Sequence, residues 1–557
     1  MTQAGGGPPL ELGAPQGSVL SPFLWNVIAR HLFTHFLIRE SLLVGYADDF
    51  TLLIQVRGRL PIRATNDFLN ILASWCLDNG LHLNPSKTQA CIFQWRRVRP
   101  NPDPVLKIEG QPINIGKSIT ILGVEFGQTR RFVAHLRNLT RRCKYIIPRL
   151  AYAIQGKYGL SFLAGRNIFS AVVIPAFLYG VSAWGSRASA NEGIRQLRSL
   201  HYTFARCILR GGPCTPTIPA ISITGSPPLD IIIRSRMAFL KQINEGGFEI
   251  KPGPAALPYP PFRRLLSFSL NFEEVTTPII YTDGSKSDIG VGAAVVLPSP
   301  EQPPVLLRLH PNCTAFQAEL LAILWAVRIA GNDSTGLGIT IASDCQSALA
   351  TICSSGPAQS ALVAEIILAL DSAPHINLCW VRGHSGIDGN ERADRAARNA
   401  ASSTLPSSYS ILPRSHARNL SRASALAAWT DIYTQDHSTR FLRRITSTPC
   451  QLLKFLSKIR HGGITTTILT GHGHVLADFA LWYPGTDPTC PHCLECPQTV
   501  DHLLFDCPAF LRHRTQTALL LGQADFDSSS LARLPETLPA WNFLVDWFSS
   551  ATRTGRD

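Results

Sequence analysis

At 557 residues the chain exceeds what one hydrophobic core organises, and roughly 100–200 residues per domain points to three or four domains. Hydrophobic residues at 45% and charged residues at 16% exclude a disordered chain, and a formal charge of +14 suits a polyanionic partner, most often nucleic acid. The 14 cysteines are thinly spread except near 490–507, which excludes a disulfide framework, and residues 1–18 carry no apolar signal segment, so the protein is expected in the nucleus or cytoplasm and not secreted.

Taken in chain order, residues 23–38 ("FLWNVIARHLFTHFLI") have helical spacing, 42–56 ("LLVGYADDFTLLIQV") read as a strand hairpin, and 62–80 form an amphipathic helix ending at Gly80. The longest uncharged run, Asn167 to Ser186, is broken by Asn167, Ser170, Pro175, Gly180 and Ser182, and reads as buried helix or strand with no membrane span expected. Segment 126–150 carries Arg130, Arg131, Arg137, Arg141, Arg142, Lys144 and Arg149 and no acid. Steps of three to four residues put these cations on one helical face, which is either simply solvated or tracks a phosphate backbone. Pro/Gly-rich stretches at 245–264 and 401–415 read as linkers on either side of an alternating strand and helix block. That block offers strands at 278–285, 291–297, 339–344 and 376–383, and helices at 315–330, 360–370 and 390–400. A basic, partly helical region follows.

Asp48 and Asp49, adjacent at the hairpin, suit a divalent metal, but two-metal phosphoryl transfer needs a further carboxylate on another strand, and residues 1–47 contain no Asp. "APQGSVLSPFLWNV" (14–27), "GYADDF" (45–50), "GLHLNPSKTQ" (80–89) and "ILGVEF" (121–126) resemble successive motifs of non-LTR retrotransposon reverse transcriptases of Jockey and I type. That resemblance implies a partial polymerase palm in which Gln16 and Gly17 lie near primer and template, Asp48 and Asp49 occupy the catalytic aspartate positions, and Lys87 faces the leaving pyrophosphate. The family's earlier aspartate motif, fingers and N-terminal endonuclease have no counterpart here, so the polymerase positions are expected to be vestigial.

In the later block Asp283 is expected to end a strand, Glu319 to sit in a helix, Asp344 to end another strand, and Asp394 to lie in a late helix. Four acids converging in a cleft repel one another unless cations neutralise them, which calls for Mg²⁺ or Mn²⁺. "YTDGS", "QAEL", "SDCQSAL" and "GHSGIDGNERAD" resemble type 1 ribonuclease H across the whole domain. The resemblance implies that Asp283, Glu319, Asp344 and Asp394 bind two metal ions, that His384 in a flexible loop assists turnover, and that the substrate is the RNA of an RNA–DNA hybrid. Ser343 and Ser347 either contact the minor groove or cap helices.

Cys490, Cys493, His502 and Cys507 form a C-x2-C-x8-H-x4-C pattern that closes a tetrahedral structural zinc site, against the alternative of ordinary buried cysteines; His492 and Cys496 are alternates. The spacing also resembles the C-terminal knuckle of non-LTR retrotransposon polyproteins. The expected fold class is α/β multidomain: a partial reverse transcriptase palm (1–125), a basic helical thumb (126–250), a Pro-rich linker (251–274), a ribonuclease H domain with a mixed sheet (275–401), and a basic C-terminal region (416–557) with a small helical zinc-knuckle tail at 490–507. The expected function is metal-dependent hydrolysis of RNA in RNA–DNA hybrids within a truncated retrotransposon protein. The alternatives are an inactive remnant that binds nucleic acid, and an RNA-directed DNA polymerase completed by missing upstream sequence. No membrane partner is expected, and the oligomeric state is not legible.

Overall fold

The computed structural model describes residues 20–35, 41–55, 62–93, 105–128, 132–155, 161–188, 191–250, 266–332, 338–354, 356 and 358–553. Gln16, Gly17, Arg130 and Arg131 lie outside the described residues. The chain divides between Ile208 and Leu209 into two compact units. The segment expected as one thumb, 126–250, is therefore split, and its last helices belong to the second unit.

In the first unit, helix α1 (Ser21–His35) precedes an antiparallel hairpin of β1 (Ser41–Tyr46) and β2 (Asp49–Ile54). Tyr46 pairs with Asp49, so Ala47 and Asp48 form the turn. Helix α2 (Ile62–Asp78) stops before Gly80 as its sequence predicts, and its apolar stripe, Phe68, Leu72, Trp75 and Cys76, packs with Leu32 of α1 and with Leu43, Phe50 and Leu52 of the hairpin. A second hairpin, β3 (Ser118–Ile121) and β4 (Val124–Gly127), leads to α3 (Val133–Gln155), the expected basic helix. The uncharged run at 167–186 is helical with a π-helical turn at Phe169–Val173, and no helix among the described residues is long and apolar enough to cross a membrane.

The second unit begins with helical turns and α4 (Leu229–Asn244), then builds a seven-stranded mixed sheet. Its strands are β5 (Phe268–Ser269), β6 (Ile279–Lys286), β7 (Val291–Val296), β8 (Val305–Leu309), β9 (Ile339–Ser343), β10 (Ile376–Trp380) and β11 (Ser407–Tyr409), in the spatial order β11-β8-β7-β6-β9-β10-β5. β6, β7 and β8 form an antiparallel meander, while β6-β9-β10 run parallel and need crossover helices. Those helices are α5 (Ala315–Gly331), α6 (Gln346–Ile352) and α7 (Ala361–Asp371), and α8 (Asp388–Ser402) follows β10. α5 is apolar on nearly every side because it lies between the sheet and α7, where Leu320, Ile323, Leu324 and Val327 meet Ile280, Ile341, Leu362 and Ile366 in one core.

One expectation needs correction here. The stretch 401–415 is not a free linker: β11 pairs with β8 and extends the sheet, and Leu412 bridges to Phe248. The C-terminal region, expected as basic and partly helical, is largely helical. α9 (Arg414–Gln435) packs on α4, and Trp429, Tyr433, Phe455, Trp541 and Phe548 are buried in an extensive helical block that closes with α10 (Leu538–Arg553). Trp429 and Tyr433 come from α9, Trp541 and Phe548 from α10, and Phe455 from the short helix Pro449–Leu456.

Candidate active site and metal centre

Asp283, Glu319 and Asp344 come together although they are distant in sequence: one carboxylate oxygen of each lies within 4.8 Å of the others. Asp344 immediately follows β9, as expected, but Asp283 does not end its strand. β6 runs on to Lys286 because Gly284, Ser285 and Lys286 pair with Ala293, Gly292 and Val291, which leaves Asp283 mid-strand opposite Ala294. Glu319 reaches it from the first turns of α5. The helix approaches the strand closely at Gly284, where a Cβ atom would sit 2.4 Å from the Glu319 backbone nitrogen.

The electrostatics match a site built for cations. Asp283 is 6% exposed and Glu319 7%. Burial, reinforced by Asp344 and Asp394, pushes the Asp283 carboxyl up to about 7, while Arg398 and His384 pull it down. Burial also drives Glu319 well above the carboxylate range, with Asp283 and Asp344 adding to the effect and the Gly284 backbone N–H opposing it. Its Oε2 is buried with no hydrogen-bond partner. Asp344 is raised by burial and held down by the Asn390 amide. Clustered, desolvated carboxylates with an orphan oxygen fit a hard divalent cation, which replaces repulsion with oxygen coordination.

The fourth expected acid stands slightly apart. Asp394 groups with His384 and Glu391, one ligand atom of each within 4.8 Å of the others, and it pairs with Arg398 one turn along α8. Its charge still raises Asp283 and Asp344, so the two groups adjoin. His384 is exposed and holds a left-handed backbone (φ 52°), a conformation that costs a non-glycine residue free energy and recurs at functional loops.

Sequence reasoning missed three contributors. Asn390 is 3% exposed and donates to Asp344; it lies in the "GNERAD" motif, yet an amide there carries no charge signal. Glu391 joins His384 and Asp394. Trp380 donates its indole N–H to the Asp344 carbonyl at 3.0 Å, fixing the strand end. Ser343 is fully buried and its Oγ accepts from the Cys345 N–H at 3.1 Å, a local turn contact ahead of α6, whose N-cap Cys345 makes no side-chain cap.

Residues 276–402 match the family model for RNase H. This block is an RNase H domain. Residues 2–126 match the model for reverse transcriptase (RNA-dependent DNA polymerase). The chain is similar to a probable RNA-directed DNA polymerase from transposon BS of Drosophila melanogaster, at 31% identity over 33% of this chain and 21% of that protein. It is also similar to a putative 115 kDa protein in type-1 retrotransposable element R1DM of the same species, at 25% identity over 44% of this chain and 23% of that protein. A third relative is a retrovirus-related Pol polyprotein from type-1 retrotransposable element R1 of Nasonia vitripennis, at 26% identity over 31% of this chain and 52% of that protein. The homologues are thus polyproteins of non-LTR retrotransposons, and the chain spans about a fifth of the length of the first two.

Outside the RNase H domain, the reverse transcriptase positions among the described residues are solvent-facing. Asp48 and Asp49 are exposed at the hairpin turn, and Lys87 is exposed in a turn where its N–H donates to the Asn84 carbonyl at 3.3 Å. At the other end, Cys490, Cys493, His502 and Cys507 converge with one donor atom each inside 4.8 Å. The Sγ atoms of Cys490 and Cys507 are 4.0 Å apart, and Cys493 Sγ lies 3.3 Å from His502 Nε2. For Zn–S bonds of roughly 2.3 Å a tetrahedral edge is about 3.8 Å, so the four donors fit zinc. The alternates fall away: His492 Nε2 lies 2.9 Å from the Ala551 carbonyl, and Cys496 is exposed outside the cluster.

Proposed function

We propose that the RNase H domain hydrolyses the RNA strand of RNA–DNA hybrids with divalent metal ions. The observation that carries the reading is the buried Asp283–Glu319–Asp344 cluster, raised in pKa and adjoining Asp394 and His384. In this reading Asp283, Glu319 and Asp344 hold one face of the metal site and Asp394 the other. When bound, Mg²⁺ or Mn²⁺ supplies an activated water and neutralises charge developing on the leaving 3′-oxygen. The Gly284 N–H and the Asn390 amide oppose the upward shifts of Glu319 and Asp344, favouring the deprotonated form that a metal ion would bind. His384, on its exposed loop, exchanges protons between the site and solvent. Discrimination rests on shape, with the RNA strand recognised by its 2′-hydroxyls.

Turnover is assigned to this cluster because its carboxylates are buried and converge, whereas Asp48 and Asp49 are exposed at a hairpin turn. The Cys490, Cys493, His502 and Cys507 group is read as structural zinc, since four protein donors leave no open position for chemistry. The decisive experiment uses the full chain on a labelled hybrid. Mg²⁺-dependent cleavage that disappears in Asp344→Asn supports the reading. Absence of cleavage by folded wild-type protein defeats it, and primer extension lost in Asp49→Asn returns polymerisation to the first unit.

A further inference from the structure

The basic helix α3 carries a feature that its charge alone does not explain. Two tyrosines, Tyr145 and Tyr152, are 71% and 78% exposed on it, among the most exposed large rings of the described residues. Neither ring packs on another aromatic side chain among those residues. An isolated surface tyrosine is ordinary, but these two share a stripe. Positions 137, 141, 145, 148 and 152 follow helical steps of four, four, three and four, so Arg137, Arg141, Tyr145, Pro148 and Tyr152 line one exposed edge, flanked by Lys144 and Arg149. The opposite face is buried through His135, Leu136, Cys143 and Ile147, which fixes the rotation of the helix. None of the five α3 cations is in an ion pair among the described residues, and the helix contains no acid.

Arg141 donates to Asn138 Oδ1 at 2.9 Å, a neutral partner that leaves its charge uncompensated, and cations without a carboxylate partner track phosphates, whether the nucleic acid is single or double stranded. Exposed rings between those cations can stack on a base only where bases are free; against a duplex, whose bases are already stacked, a tyrosine offers only its hydroxyl to a phosphate. A single strand offers unstacked bases, and base–aromatic stacking suits any sequence. Seven residues at 1.5 Å rise separate the two tyrosines by roughly 10 Å along the axis, too far to sandwich one base, so each ring serves its own base. A membrane surface is the competing polyanion for a basic helix, but the exposed edge offers no Trp, Phe, Leu or Ile to insert into lipid.

We infer that the outer edge of α3 binds single-stranded RNA or DNA, with Arg137, Arg141, Lys144 and Arg149 on the phosphates and Tyr145 and Tyr152 each stacking on a base. The inference rests on the reading that the α3 cations meet nucleic acid, and adds strandedness and the stacking residues. The test uses the full chain, with fluorescence anisotropy on a 20-nucleotide RNA and on the corresponding RNA duplex. The double variant Tyr145→Ala/Tyr152→Ala is expected to bind the single strand about tenfold more weakly or worse, with duplex affinity and salt slope unchanged. Tyr145→Phe/Tyr152→Phe keeps the rings and is expected to restore binding. Arg137→Gln/Arg141→Gln is expected to weaken both ligands and flatten the salt dependence. If the arginine variant weakens binding while the alanine variant matches wild type on the single strand, the edge is a backbone track and the inference fails with the underlying reading intact. If neither variant matters, both fall. Tyrosine-dependent binding to phosphatidylserine vesicles, without an effect on RNA, also overturns it.

Discussion

Gly284 is the residue on which the assembly of the acidic site turns. It stands beside Asp283 on β6, and its missing side chain lets α5 come close enough to deliver Glu319. In Gly284→Ala the new Cβ would meet the Glu319 nitrogen at 2.4 Å and the Ala318 carbonyl carbon at 2.7 Å, both backbone atoms that cannot swing aside. Relief requires moving strand and helix apart, at a cost of about 1–3 kcal/mol for overpacking. The expected outcome is a lower melting midpoint and a loss of hybrid cleavage larger than the stability change explains, because the carboxylates separate. Gly331, which has open space around its Cβ position, is the control: Gly331→Ala should leave cleavage unchanged. Initial rates and melts of the two variants check both statements, and cleavage at the wild-type rate in Gly284→Ala would refute the first.

Among elements, packing is most visible where a helix of the first unit buries a titratable ring. His201, in the helix Asn191–Leu209, is fully buried and stacks on Phe169 with centroids 4.4 Å apart. Burial lowers its pKa to about 3 from 6.5, so the folded state holds it neutral. Below pH 6.5 the unfolded chain takes up a proton that the folded chain refuses. The stabilisation is thus complete above 6.5 and declines as pH falls toward 3, by up to about 1.4 kcal/mol per pH unit. Hydrogen exchange of residues 191–209 should therefore accelerate between pH 6.5 and 4.5 beyond the intrinsic trend, and His201→Phe should remove the extra sensitivity. The same elements show what a sequence discloses. α2 was legible because its apolar residues repeat at helical spacing and Gly80 punctuates its end. The strands 279–286, 291–296, 339–343 and 376–380 were legible as apolar runs, since a sheet buried on both faces needs no alternation. β8 and β11 were not: five and three residues, one interrupted by Arg308 and the other made of Ser-Ser-Tyr, become strands only because a neighbour offers an unpaired edge. Asp283, Glu319 and Asp344 could be named from motif context, whereas the role of Asn390 depends on a turn of α8 that places its amide on Asp344.

At the scale of the whole molecule, the question is how the pieces of the second unit depend on one another. The cysteine–histidine group ties the end of the chain together: Arg514 donates to the Cys507 carbonyl at 2.7 Å, and Arg444 lies over the Phe441 and Phe505 rings and pairs with Asp501. Cys493→Ser is therefore expected to lose about one equivalent of zinc and lower the melting of the helical block, while hybrid cleavage persists, because the RNase H core at 280–378 contains none of these residues. Metal analysis beside an activity assay separates the two effects. Binding should divide differently from catalysis. Between Asp344 and Arg382 there is no Lys or Arg, so the RNase H domain brings little positive charge of its own to a hybrid along this stretch. Beyond the Arg382, Arg392, Arg395 and Arg398 that follow it, further cations lie outside the domain, in α3 and at Arg414, Arg418, Arg422, Arg440, Arg443, Arg444, Lys454, Lys458 and Arg460. A fair comparison must keep the edge of the sheet, because β11 pairs with β8 and Gln317 donates to the Ile411 carbonyl at 3.1 Å. Residues 266–413 as an isolated domain retain both. If affinity comes from phosphate contacts outside the domain, this fragment should bind an RNA–DNA hybrid at least tenfold more weakly than the full chain at moderate salt, with a shallower slope of log affinity against log salt. Raising the salt should then bring the two affinities together, since the full chain has more ion-releasing contacts to lose. Equal affinities at moderate salt would show instead that the domain grips its substrate through uncharged contacts to the minor groove.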